Sequence, residues 1–150
     1  MSAERNKAVV RQLFELWNSG DTARIGEYYD PAYTADYEPY SSGAGLDGIR
    51  GMIAGAHATF PDYHEELLEM TAEGDRVAIW LRITGTHSGA PWGPVPASGK
   101  RVSYEEMLVL TFRDGKVLHQ RGIADNLSLL RQFGLVPVPP GQAAARPNED

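Results

Sequence analysis

The apolar positions of this chain change their period once, near residue 60. Before that point they recur at helical spacing. Val9, Val10, Leu13, Phe14 and Trp17 share one side of a helix over residues 3–19, with Ser2 as its cap and Asn18-Ser19-Gly20 as its stop. Asp21 opens a second, shorter helix that carries Ile25, Tyr28 and Tyr29 and is ended by Pro31. Ile49, Met52, Ile53 and Ala56 predict a third helix over 47–58, after a loop at 41–45. Between the second and third helices, residues 28–40 place five tyrosines among Asp30, Asp36 and Glu38. No strand is predicted there, and Asp36-Tyr37-Glu38-Pro39 reads as a loop.

Beyond residue 60 the pattern is that of strands, at 62–72, 76–87, 100–113 and 116–124. Glu73-Gly74-Asp75 and Arg113-Asp114-Gly115-Lys116 are hairpin turns, the second built on a dipeptide that tolerates positive φ. Residues 88–99 form a Pro/Gly-rich loop with Trp92 at its centre. Asp125 caps a last helix over 126–133, closed by Gly134. Residues 137–150 have little to bury, and a flexible tail is expected there after a single domain at 1–136. Helices followed by an antiparallel meander predict an α+β fold, with helices against one face of a curved sheet. Residues 77–81 and 107–110 are apolar at both parities, whereas a sheet with one wet face would alternate. A homodimer through the outer sheet face is therefore expected.

Composition narrows the function. With 42% apolar residues and 150 positions the chain suits one globular domain. A net charge of −6 argues against a nucleic-acid surface. No apolar run approaches the roughly 20 residues that span a bilayer, and the N-terminus lacks the apolar core of a signal peptide, so the cytoplasm is the default expectation. There is no cysteine, and four dispersed histidines lack the short spacing of a zinc site, so no metal is expected. Neither a P-loop nor GxGxxG nor GxSxG is present. What remains is Glu105-Glu106 inside the strand before Asp114-Gly115. Neighbouring strand residues point to opposite faces, so one of these carboxylates faces inward.

The segments LFELWNSGD (13–21), FPDYH (60–64), EGDRVAIWLRITGTHSG (73–89), SGKRV (98–102) and FRDGKVLHQRGIADNLSLLRQFG (112–134) occur in one order and spacing. Over residues 5–135 the chain resembles the SnoaL-like polyketide cyclases of the nuclear transport factor two-like superfamily. That resemblance implies a cone-shaped, mixed or antiparallel sheet wrapped around the N-terminal helices, an apolar pocket inside the cone, and usually a dimer. It also implies cofactor-independent aldol chemistry by an aspartate on the last strand and a histidine on the strand before it. Laid on this sequence, those two positions fall at Gly122 and Leu108, so the catalytic pair is missing.

With Leu108 and Gly122 facing the pocket, period two brings Tyr104, Glu106, Leu110 and Phe112 to the same side, together with Leu118, Gln120 and Ala124. Glu106 is then the inward acid, its pKa expected to rise by desolvation; the alternatives are a solvated mouth position or pairing with Arg82. Asp36 is a candidate second carboxylate opposite Glu106, or a turn residue. Tyr33, Tyr37 and Tyr40 are candidate hydrogen-bond donors, and Trp17, Met52 and Trp92 candidate walls. His64 is a candidate proton carrier, His87 a weaker one; His57 reads as a helix-surface residue, and Asp125 as an N-cap. The expected function is cofactor-independent cyclisation or isomerisation of a polyketide-like molecule by a route other than the aspartate–histidine pair. The alternatives are epoxide opening or hydroxylation on the same scaffold, and binding without catalysis.

Overall fold

The structure, a computed structural model, describes residues 2–38, 44–137 and 139–141. Its elements are α1 (Ala3–Ser19), α2 (Ile25–Tyr28), β1 (Tyr29–Glu38), α3 (Gly45–Thr59), β2 (His64–Glu73), β3 (Arg76–Thr86), β4 (Arg101–Arg113), β5 (Lys116–Ala124) and α4 (Asn126–Gln132). The five strands form one sheet in the order β1-β5-β4-β3-β2, with β1 parallel to β5 and every other pair antiparallel. No helix among the described residues is long and apolar enough to cross a membrane. Most of the expected tail, residues 142–150, lies outside the described residues.

Local signals set the helices. Ser2 accepts the Arg5 N–H at 3.2 Å, and α1 ends where Gly20 turns left-handed (φ 71°) and donates to the Leu16 carbonyl. The apolar side of α1 buries Val10, Leu13 and Leu16. Burying a side chain of this size is worth about 1.5–3 kcal/mol. Asp125 caps α4 by accepting the Ser128 N–H.

Residues 29–38 correct the sequence reading: they form an edge strand, not a loop. Tyr29 and Tyr33 are buried, their rings edge-on at 5.2 Å. Asp30 receives both Arg113 Nε (3.0 Å) and Nη2 (2.8 Å), which fastens the start of β1 to the end of β4 and holds its carboxyl below the usual range.

A β-bulge between Thr111 and Phe112 changes the parity of β5. Phe112 pairs with Val117, which is fully buried, while Thr111 pairs with His119. Leu118 is the extra residue, so its expected inward place belongs to Val117. Beyond the bulge, Gln120, Gly122 and Ala124 are buried as expected. On the opposite face of the sheet, Trp80, Met107 and Ile123 form a cross-strand row, 41%, 53% and 74% exposed.

Gly89 sets where the 88–99 loop lies. A Cβ there would stand 1.9 Å from the Ala58 carbonyl oxygen, and Ala90 N–H donates to that same oxygen at 2.7 Å. Glycine therefore lets the root of the loop press against the end of α3. From that root the chain carries Trp92 over the helices and sheet, its ring 5.9 Å from Phe133.

Candidate active site

Between the helices and the inner sheet face lies a cavity of about 680 Å³. Phe14 and Trp17 of α1, Met52 and Ala56 of α3, and Pro91 and Trp92 of the loop form one side. The sheet forms the other, with Ile79, Leu81 and Ile83 in its middle and Tyr104, Glu106, Leu108 and Leu110 beside them on β4. A cavity of this size suits an organic molecule of several rings, and a mainly apolar wall with few polar groups is the usual form of a small-molecule site.

Of the residues singled out in the sequence, Trp17, Met52, Trp92, Tyr104, Glu106, Leu108 and Gln120 line this cavity. Glu105 takes the other face, where it accepts from Trp80 Nε1 at 2.9 Å and from Arg82 at 3.3 Å. Arg82 thus pairs with Glu105, and also with Glu66. Tyr33 does not reach the cavity. It is fully buried behind Gln120 and donates to that residue's Oε1 at 3.3 Å. Gly122 shares the inner face but is not part of the lining. Tyr40 and the side chain of Tyr37 lie outside what is described; the Tyr37 backbone pairs with Gly122.

Two of the expected proton carriers lie outside the cavity lining. Asp36 sits on the exposed edge strand, 3.7 Å from Arg121, and faces away from Glu106. His64 is exposed because it alternates with the inward-facing Tyr63 and Glu65. His87 is fully buried outside the cavity lining, with Nδ1 3.2 Å from Ser98 Oγ and rings of Phe60 and Phe133 against it. His57 is half-buried rather than on the surface, and its Nε2 donates to the Trp17 carbonyl at 2.6 Å.

The residue that sequence reasoning missed is Glu65, on the cavity wall. Burial pushes its carboxyl up to about 8; a hydrogen bond from Tyr63 opposes this and the charge of Glu106 adds to it. The signal was available in the sequence. Tyr63, Glu65 and Leu67 share one parity, and the apolar members point inward, so Glu65 must follow them. The run His64-Glu65-Glu66 hid it, because three polar residues in a row show no alternation.

The description SnoaL-like polyketide cyclase matches residues 7–133 of the chain. This chain belongs to the SnoaL-like polyketide cyclase family. Among curated relatives, an aklanonic acid methyl ester cyclase of Streptomyces galilaeus is 31% identical over 132 residues, covering 85% of this chain and 89% of that protein. A nogalonic acid methyl ester cyclase of Streptomyces nogalater is 27% identical, covering 81% and 92%. Among solved structures, AclR of Streptomyces galilaeus, proposed to be a hydroxylase, superposes with a TM-score of 0.80 at 29% identity, covering 93% of this chain and 91% of that one.

In this SnoaL-like cyclase, Leu108 and Gly122 are direct cross-strand partners on the inner face. These are the positions where the sequence resemblance places the histidine and aspartate. An aliphatic side chain and a bare backbone stand there, and neither moves a proton. Among the described residues, the ionisable groups on the cavity wall are Glu106 one step along β4, Glu65 across the sheet, Asp47 at the start of α3, and the tyrosines 29, 63 and 104. Burial raises the pKa of Tyr29 and Tyr63, so both hydroxyls stay protonated and act as hydrogen-bonding groups.

Proposed function

We propose that this protein is a cytoplasmic, cofactor-independent cyclase that closes a ring in a polyketide-like, largely apolar substrate, with Glu106 as the base. The observation that carries the reading is Glu106 on the inner wall of a mainly apolar 680 Å³ cavity, beside the vacated Leu108–Gly122 pair. The relatives support the substrate class, since one is a cyclase of aklanonic acid methyl ester and the other of nogalonic acid methyl ester, and the family is that of the SnoaL-like polyketide cyclases. A substrate of that class carries carbonyl groups that acidify the neighbouring C–H bonds. A carboxylate can take such a proton, and contributes roughly 10²- to 10⁴-fold when positioned. The apolar walls hold a long chain in a reactive shape, which supplies further rate by raising the effective concentration of the two carbons.

The test uses aklanonic acid methyl ester and nogalonic acid methyl ester as probes, without added cofactor and without oxygen. A product of unchanged mass and new retention time is expected by liquid chromatography with mass detection. Recovery of both esters unchanged overturns the reading. A hydroxylating alternative draws on the likeness to AclR. It requires oxygen and adds one oxygen atom to the product, so repeating the incubation in air separates the two. Epoxide opening by Asp36 and Glu106 together loses its support, because Asp36 lies outside the cavity. Binding without turnover predicts quenching of Trp17 or Trp92 fluorescence by the esters with no product.

The exposed row of Trp80, Met107 and Ile123 supports a homodimer through the outer sheet face. Contiguous apolar surface of this kind marks interaction sites. Sedimentation equilibrium is expected to give twice the 16.4 kDa chain mass, and Ile123→Glu is expected to return it to one chain. A wild-type monomer at micromolar concentration contradicts the assignment.

A further inference from the structure

Glu65 and Glu106 stand on the same inner face of the sheet, two strands apart. Ile83 of β3 pairs with Glu65 on one side and Tyr104 on the other; Leu81, two residues along, pairs with Glu106. Glu65 is also held in place from behind. Asn18, the penultimate residue of α1, donates its Nδ2 to the Glu65 carbonyl (3.0 Å) and accepts the Glu65 N–H at Oδ1 (2.6 Å). The buried hydroxyl of Tyr63 donates to Oε1 of Glu65 at 2.5 Å, and the Tyr63 ring is backed by those of Trp17 and His57.

This arrangement decides where a proton on Glu65 resides. Oε1 is occupied as an acceptor by the Tyr63 O–H, so the carboxyl proton belongs on Oε2. Oε2 has no hydrogen-bond partner among the described residues, and the side chain forms part of the cavity wall. The ionisable groups acting on this carboxyl are Tyr63 beside it, Glu106 on β4, and Tyr29 at the start of β1, which feels its charge. Tyr104 on β4 and His57 on α3 act on or touch Tyr63. No lysine or arginine is among them, so burial and the Glu106 charge prevail, and the carboxyl stays protonated up to about pH 8.

We propose that Glu65 is the general acid of this site, paired with Glu106 as base, and that Tyr63 positions it. The assignment rests on the cyclase reading above. In the ring-closing step Glu106 takes a proton from a carbon next to a carbonyl. The released electron pair forms the new carbon–carbon bond to a second carbonyl carbon. The π pair of that carbonyl moves to its oxygen, which takes the proton of Glu65 Oε2. The product has the composition of the substrate, and the two carboxyls have exchanged one proton, which solvent restores. The missing aspartate–histidine pair is thereby replaced by two carboxyls from different strands.

Glu65→Gln keeps the shape and a hydrogen-bond donor but has no proton to give. With aklanonic acid methyl ester its kcat is expected to fall at least 100-fold with KM within about threefold, and the alkaline limb near pH 8 to disappear. Tyr63→Phe removes the hydrogen bond that lowers the Glu65 pKa, so the alkaline limb is expected to move upward. A Glu65→Gln enzyme within threefold of wild type, with its alkaline limb intact, overturns the proposal. A second arm needs no turnover. Carbon-13 NMR of labelled glutamate is expected to show one carboxyl titrating near 8 that vanishes in Glu65→Gln. 9,10-Anthraquinone, which accepts hydrogen bonds and does not titrate, is expected to bind wild type at least tenfold more weakly at pH 9.5 than at 6.5, and Glu65→Gln equally at both. Titration of Glu65 in the ordinary glutamate range, pH-independent binding, or no binding at pH 6.5 overturns the acid assignment. Unchanged ester with wild type, alongside the expected NMR and binding results, sinks the cyclase reading instead.

Discussion

Replacing Glu106 with glutamine is expected to slow ring closure by about 10²- to 10⁴-fold, with the fold and substrate binding retained. Glutamine preserves the volume and two polar atoms of the side chain, so the cavity keeps its shape. What it loses is the basic oxygen that takes a proton from carbon. Single-turnover rates with saturating ester, compared with circular dichroism and fluorescence titration of the same variant, separate the loss of chemistry from loss of structure or binding. A near-normal rate would eliminate proton transfer by Glu106 and leave the cavity acting through shape alone, as a pericyclic closure would require. The variant also reports on Glu65. Removing the Glu106 charge takes away one of the two causes that raise the Glu65 pKa, so the alkaline limb is expected to move to lower pH.

The second large effect is on stability, and its sign follows from the raised pKa of Glu65. In the unfolded chain this carboxyl ionises near its ordinary value of 4.5, whereas in the folded protein it keeps its proton to about 8. Between those values the folded state binds more protons than the unfolded one, so stability falls as pH rises. One proton corresponds to about 1.4 kcal/mol per pH unit, and partial exposure of the residue reduces the total to about 2–4 kcal/mol. Above pH 8 the penalty is complete and constant. Glu65→Gln removes it, and is expected to be more stable than wild type by that amount at pH 8.5 and by almost nothing at pH 4.5. Urea unfolding of both proteins at both pH values measures the difference. Asp30 and Asp62 have depressed pKa values and lose their contribution as pH falls, but they are common to both proteins and cancel. An equal difference at the two pH values contradicts a buried, protonated Glu65.

Helices α1, α3 and α4 and strands β2 to β5 are legible in the sequence because each carries a local signal. Apolar residues at helical spacing give α1 and α3, and Asp125 and Gly134 bound α4. β1 is not legible. Pro31 and Asp30 stand at its start, both disfavoured in strands, and its partner β5 lies far along the chain. That omission is why the sequence alone sets Asp36 in a loop facing the pocket, whereas it lies on a solvent-exposed edge. The inward face of β4 follows from alternation and delivers Tyr104, Glu106 and Leu108 to the cavity wall. On β5 the same rule carries past the bulge at one end only, because an extra residue leaves no mark in the hydrophobic pattern. Glu65 escapes for a related reason. Its neighbours on both sides are polar, and its role is defined by contacts from α1 and β4 that no local window contains.

The parallel pairing of β1 with β5 also has a consequence for biogenesis. Thr34 meets His119, so β1 waits for β5, the last of the five strands to leave the ribosome. Until then β1 and β4 each lack the neighbour that joins them in the sheet. Joining such distant segments carries a high loop-closure cost and slows folding. A nascent chain stalled before residue 116 would hold both acids yet lack the strand that links β1 to the rest of the sheet.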